Sequence, residues 1–155
     1  IWNLIIVTIS GGNKTILRQM QFKSFTDIRL SGDITVNGFV YIFKNKKANR
    51  VKVGMTTNPI ADRLKAFNKN PHYLKYFNGD KRLPLSVWSY SQAYETTNYV
   101  EVEKLAHKYL REYEDKDAPI GELFKCSVEI AIEGVEDALK DLGLFDEAIK
   151  VEVKD

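Results

Sequence analysis

The chain has 155 residues, 44% of them hydrophobic, which is enough for one globular domain with a core and too few for two comfortable ones. One cysteine, Cys126, excludes an internal disulfide, and with two histidines a cysteine/histidine zinc site is not available. The formal net charge of +2 hides a division: between Gly38 and Arg82 eleven basic residues stand against two acidic ones, leaving twelve against nineteen elsewhere. A basic block beside an acidic remainder points to a polyanion, phosphates first, or else to a solvated face of scattered lysines.

Residues 1–36 read as an N-terminal β extension, one that adds strands to the domain or belongs to a larger parent protein. Segments 4–9 and 15–20 flank Ser10-Gly11-Gly12-Asn13, a turn signal that predicts a hairpin. Segments 27–30 and 33–36, about Ser31-Gly32, are candidate short strands with weak periods. The apolar opening 1–7 has no basic flank and no cleavage site, and no run reaches the length of a membrane span. Neither a signal peptide nor a membrane partner is expected; the chain does not begin with Met, so its true start is expected upstream or processed. An intracellular protein is expected, cytoplasmic or nuclear, or a phage or viral one acting inside a host cell.

The stretch from Gly38 to Asn68 is the most informative. Residues 39–44 and 50–55 alternate loosely and are rich in β-branched and aromatic types, as hairpin strands require, around the basic turn Asn45-Lys46-Lys47-Ala48-Asn49. Asn58-Pro59 predicts a helix start, with Asn58 as the cap and Pro59 first in the helix. Such a unit brings Tyr41, Lys52 and Arg63 to one surface.

In the segment 70–80, lysine lies beside Tyr73, Tyr76 and Phe77, a composition that suits a backbone grip with base stacking and equally suits aromatics filling a core beneath a loop. Residues 85–94 alternate clearly and predict a third strand. The helix signal over 99–113 rests on Val102, Leu105, Ala106, Tyr109 and Leu110. Glu103 and His107 share one helical face beside that stripe, so Glu103 is either aimed at a metal or a solvated carboxylate paired with His107. A loop over 115–121 and a short apolar return over 122–126 follow, with Cys126 read as a small core residue. Ser127 is expected to cap a last helix, 128–142, stopped by Gly143, with a short helix and a frayed acidic tail beyond it. No internal repeat and no glycine-rich phosphate loop is present in the sequence.

Taken together, Gly38-Phe39-Val40-Tyr41, Lys52-Val53-Gly54-Met55-Thr56, Arg63-Leu64, Glu103-Lys104-Leu105-Ala106-His107 and Gly121-Glu122-Leu123-Phe124-Lys125 form an ordered set over about residues 38–140. That set resembles the GIY-YIG nuclease superfamily, and more closely its branch of phage T-five type and meiotically-upregulated-gene type DNA-binding domains. The second tyrosine of the superfamily's name is replaced here by Lys52. The resemblance implies a catalytic set of Tyr41, Lys52, Arg63, Glu103 and His107. Glu103 would hold one divalent ion, magnesium or manganese, and Arg63 would hold the scissile phosphate of DNA. Tyr41 would act as general base or orient the attacking water, with Lys52 and Arg63 lowering its pKa from near 10. Lys52 would replace the lost phenol as an activator or phosphate contact. His107 would shuttle a proton, or is a plain surface or core histidine. Lys44, Lys46, Lys47, Arg50, Lys65 and Lys69 are the expected DNA contacts.

The expected architecture is a small α/β (α+β) domain. A central antiparallel sheet of about three strands is flanked by helices over 37–142, preceded by the β extension 1–36 and followed by a tail, 143–155. The expected function is a metal-dependent DNA endonuclease. A non-cleaving DNA-binding module of the same fold, and a protein-interaction or structural domain using the acidic C-terminal half, stand beside it.

Overall fold

The computed structural model describes residues 3–11, 14–22, 37–45, 49–70, 88–118 and 121–152, and the chain divides into two compact units, Ile1–Asn37 and Gly38–Asp155. In the first unit, β1 (Asn3–Gly11) and β2 (Lys14–Phe22) pair antiparallel, with Ile9 opposite Ile16 and Gly11 opposite Lys14. This is the hairpin predicted by the turn signal. The short strands expected at 27–30 and 33–36 lie outside the described residues.

In the second unit the described strands form one antiparallel sheet in the order β6-β4-β3-β5-β7. These are β3 (Gly38–Asn45), β4 (Arg50–Thr56), β5 (Trp88–Thr96), β6 (Leu123–Phe124) and β7 (Ile149–Lys150). Three α-helices accompany them among the described residues: α1 (Ile60–Asn68), α2 (Tyr99–Tyr109) and α3 (Val128–Asp141). The three long strands are those expected from the pattern. The two added edge strands have two residues each, too short for any period to be read in the sequence. β7 comes from the stretch read as a frayed tail: the Val151 N–H donates to the Ala93 carbonyl at 2.9 Å, and the Tyr90 hydroxyl bonds the Val151 carbonyl.

β3 lies at the sheet centre and is covered on both faces, so its alternation sorts side chains between two cores. Val40 and Ile42 join Val51, Val53 and Tyr94 on one face, packed against Val102 and Ala106 of α2 and Ala131, Val135, Ala138 and Leu139 of α3. Tyr41 and Phe43 point to the other face and pack with Trp88, Ala93, Leu123 and, from α1, Ile60 and Phe67. Against β5 the register steps between Ile42, opposite Gln92, and Phe43, opposite Tyr90. Ser91 is therefore one residue too many, a bulge that places Trp88 and Ala93 on the same face despite their odd spacing.

Local signals set most helix ends. The Ser127 hydroxyl accepts from the Ile130 N–H at 3.3 Å, and Gly143, at φ +68°, supplies the left-handed turn after α3. At α1 the cap is Pro59, one residue later than expected, because Pro59 is still extended at ψ 137° and the Asn58 N–H donates to the Thr56 hydroxyl. α2 stops before its apolar pattern does. The chain tightens into a 3₁₀ turn, Arg111–Tyr113, and is then drawn to β6, with the Lys125 N–H on the Tyr113 carbonyl at 2.6 Å and the Asp115 N–H on the Leu123 carbonyl at 2.8 Å. Cys126 is buried, and burial pushes its thiol up to about 11, in keeping with a core residue. Among the described residues no helix is long and apolar enough to cross a membrane.

Candidate active site

The β3–β4 register sets Tyr41 opposite Gly54 and Phe43 opposite Lys52, so Tyr41 and Lys52 rise from the α1 face of the sheet as diagonal neighbours. Gly54 makes room for the phenol: a Cβ there would stand 2.5 Å from the Tyr41 hydroxyl oxygen. Arg63, in the first turns of α1 and exposed at the surface, donates its Nε–H to that hydroxyl at 3.1 Å. The sequence reading expected cations to lower the Tyr41 pKa; the fold does the opposite. Burial raises it to about 12, outweighing the Arg63 hydrogen bond and charge, and Glu122 and Glu103 act in the same direction as burial. At neutral pH about one phenol in 10⁵ is ionised, so the hydroxyl keeps a proton to donate.

Lys52 is 1% exposed and pairs with the Glu122 carboxylate, its ammonium standing 4.9 Å from the Phe67 ring centroid and 6.0 Å from that of Tyr41. Burial lowers its pKa, Glu122 opposes that by charge and hydrogen bond, Arg63 lowers it further, and Glu103 raises it. Glu122 reaches this place through backbone pairing: Lys52 is opposite Leu123, and the Val53 N–H donates to the Glu122 carbonyl at 3.2 Å. The sequence leaves the role of Glu122, within the Gly121-Glu122-Leu123-Phe124-Lys125 signature, open. Its signal was local, a Gly-Glu before a two-residue apolar return, while its partner lies 70 positions earlier.

Glu103 and His107 come from α2. Glu103 belongs to the same electrostatic group as Tyr41, Lys52, Arg63 and Glu122, and its pKa is raised to about 7, first by burial and then by the Glu122 charge, against the pull of Lys52 and Arg63. His107 places Nε2 2.8 Å from the Val53 carbonyl oxygen, which can only accept, so Nε2 carries the proton. Burial pushes its pKa below the usual range, and the neutral ring stands 5.2 Å from that of Phe124. Glu103 Oε1 is 3.6 Å away, a contact rather than an ion pair while the imidazole is neutral. This geometry favours the core reading of His107, as a cap on the β4 carbonyl beyond the end of β6.

The expected DNA contacts separate into kinds. Lys44, Lys65 and Lys69 are exposed, whereas the Arg50 Nε–H is committed at 2.8 Å to the carboxylate of Asp115, whose side chain is fully buried and which also stands 3.8 Å from Lys125 Nζ. Asp115, unremarked in the sequence, additionally accepts from the Asp117 N–H at 3.3 Å and so ties the loop that carries Glu122. Lys46 and Lys47, and the aromatic segment up to residue 80 except Asn70, lie outside the described residues.

Among the described residues no cluster of three or more histidine, cysteine or acidic side chains is gathered. The donor present is the carboxylate of Glu103, since that of Glu122 is taken up by Lys52. It fits a hard divalent cation that keeps most of its shell as water or phosphate oxygen, and does not fit a soft metal. A partly buried carboxyl with its pKa raised by a second carboxylate is also a group whose charge an arriving cation stabilises. A family model described as T5orf172 domain matches residues 38–139. No curated protein and no solved structure matches the chain.

Proposed function

Because the chain belongs to the T5orf172 domain family, a family compatible with a nuclease or a DNA-binding module, we propose that it is a DNA endonuclease of the GIY-YIG type, hydrolysing phosphodiester bonds with one magnesium or manganese ion. The observation that carries this reading is the Tyr41–Arg63 hydrogen bond of 3.1 Å beside the raised Glu103 carboxyl. In this reading a phosphate clamp and a proton donor stand together on the α1 side of the sheet, with an acidic ligand from α2 within electrostatic reach of both.

Hydrolysis needs a positioned water, neutralised charge on the pentavalent phosphate and help for the departing oxygen. Arg63, exposed and with its Nε–H already fixed by Tyr41, offers a planar guanidinium to a DNA phosphate. Tyr41 remains protonated at neutral pH, so it acts as a donor that orients the water or a phosphate oxygen and not as a base. Lys52, too buried for direct approach by a duplex, adds positive potential from beneath. Glu103 would hold the divalent ion, which when bound lowers the pKa of water and withdraws charge from the phosphate. His107 keeps α2 docked on β4 through the Val53 carbonyl.

The alternative of a non-cleaving DNA-binding module draws on one observation: Lys52, in the place of the lost tyrosine, is paired with Glu122 rather than turned to the surface. Nicking of supercoiled plasmid separates the two. Metal-dependent nicking by the wild type, lost in Glu103→Ala with DNA binding unchanged, is the expected result. Tight, salt-sensitive binding without nicking would transfer the assignment to the binding module.

A further inference from the structure

We propose that Glu122 is a positioning residue of this site, acting through Lys52: its carboxylate holds the Lys52 ammonium beneath the Tyr41–Arg63 pair, and Lys52 serves the reaction only while so held. The inference rests on the function proposed above and adds a residue to it.

The geometry is over-determined on both sides of the contact. Lys52 cannot leave, because its Cα is locked between Phe43 on β3 and Leu123 on β6 and its side chain passes the Phe67 ring. Glu122 cannot leave either. Its carbonyl accepts from Val53, the next residue pairs with Lys52, and the loop behind it is closed by the Asp115 N–H on the Leu123 carbonyl and by the Arg50–Asp115 pair.

A lysine buried to this degree sheds its proton unless an anion compensates it. Among the described residues, the charged or titratable groups that face Lys52 are Glu122 from the loop before β6, Arg63 from α1, Glu103 and the neutral His107 from α2, and Tyr41 from β3. Arg63 repels the ammonium, and Tyr41 is neutral at pH 7. Glu103 is a weaker influence than Glu122. Among the described residues Glu122, hydrogen-bonded to the ammonium, is the anion with the strongest hold on the Lys52 charge.

A purely structural ion pair would affect only stability, so the test uses readouts that stability does not move. In the full chain, the Lys52 amine is titrated by heteronuclear NMR in wild type, Glu122→Gln and Glu122→Asp, with Lys52→Met assigning the signal, and the pH profile of plasmid nicking is recorded for the same proteins. Glu122→Gln keeps an acceptor but no charge. It is expected to lower the Lys52 midpoint by at least about one pH unit, tenfold in proton affinity, and to move the alkaline limb of nicking down in parallel. Glu122→Asp, which keeps the charge on a shorter arm, is expected to fall between the two, and it carries the test if Glu122→Gln does not fold. An unchanged Lys52 midpoint, or a shifted midpoint with an unmoved nicking profile, overturns the inference alone. A wild type that titrates normally but never nicks DNA overturns the proposed function and, with it, the role of Glu122 in the reaction.

Discussion

The Arg63 Nε–H meets the Tyr41 hydroxyl oxygen at 3.1 Å across 22 positions of sequence, joining a buried strand residue to an exposed helix residue. Burial of the phenol and exposure of the guanidinium give the two groups different duties. Arg63→Lys loses the planar fork and the bond to Tyr41 while leaving a surface cation. Nicking is expected to fall about 10²–10³-fold, the usual loss for one charge-stabilising donor, with stability altered by less than about 0.5 kcal/mol. Single-turnover rates and thermal melts of the two proteins check this; a variant that cuts at the wild-type rate removes Arg63 from the chemistry.

Gly54 is the floor beneath that pair. In Gly54→Ala the new methyl would stand 2.5 Å from the Tyr41 oxygen and 2.6 Å from Cζ, so either the ring or the strand must move. Overpacking of this kind costs about 1–3 kcal/mol. A urea midpoint should drop accordingly, and Tyr41→Phe combined with Gly54→Ala should recover part of the loss, since the hydroxyl is the nearest clash.

The Glu103 carboxyl makes the metal-free protein pH-sensitive in a defined direction. Its pKa is about 7 when folded against an ordinary 4.5, so the folded state binds the proton more tightly. Its stabilising contribution is full below about 4.5 and is lost as pH rises through about 7. Glu103→Gln should flatten that part of the stability profile. Manganese binding, which needs the carboxylate, should weaken about tenfold per pH unit below 7 and vanish in Glu103→Gln; calorimetry at pH 6 and 8 that found equal affinity would count against Glu103 as the ligand.

Exposed lysines contribute to binding by releasing counterions, whatever the DNA sequence. Lys65→Ala and Lys69→Ala, both on or just after α1, should each reduce the slope of log affinity against log salt by about 0.9 and leave sequence preference alone. Fluorescence anisotropy with two unrelated duplexes over a salt series measures this, and an unaltered slope would take α1 off the DNA-facing surface.

Asp115 carries no chemistry in the proposed reaction but holds the Glu122 loop. Its carboxylate is fully buried against Arg50 at 2.8 Å, and Asp115→Ala would remove that ion pair. Breaking a buried pair from one side costs about 3–5 kcal/mol, and the lower end is expected because Arg50 is 23% exposed. Chemical denaturation should show the loss, together with faster hydrogen exchange over 114–125.

The long elements could be read from the chain because their signals are local. The alternation of β3 and β4, the Ser127 cap and the Gly143 stop act over a few residues, and each stands where those signals predict. The α1 cap, one residue off, illustrates how a local rule yields to a neighbouring bond, here the Asn58 N–H on Thr56. β6 and β7 had no such signal, since two residues have no period, and the Ser91 bulge hides in a strand whose spacing looks regular.

By itself, then, the amino-acid order determined an α+β domain with a basic segment and named Tyr41, Lys52, Arg63 and Glu103 as residues to watch, because residue type and short-range periodicity carry that information. Only the tertiary structure decided what those side chains are. It set a protonated Tyr41 over Gly54, gave Lys52 to Glu122 and Arg50 to Asp115, and turned His107 to the Val53 carbonyl. The reason is physical: proton affinity and pairing depend on burial and on charges within a few ångströms. The partners of His107, Arg50 and Lys52 come from positions 54 to 70 residues away, where no local pattern reaches.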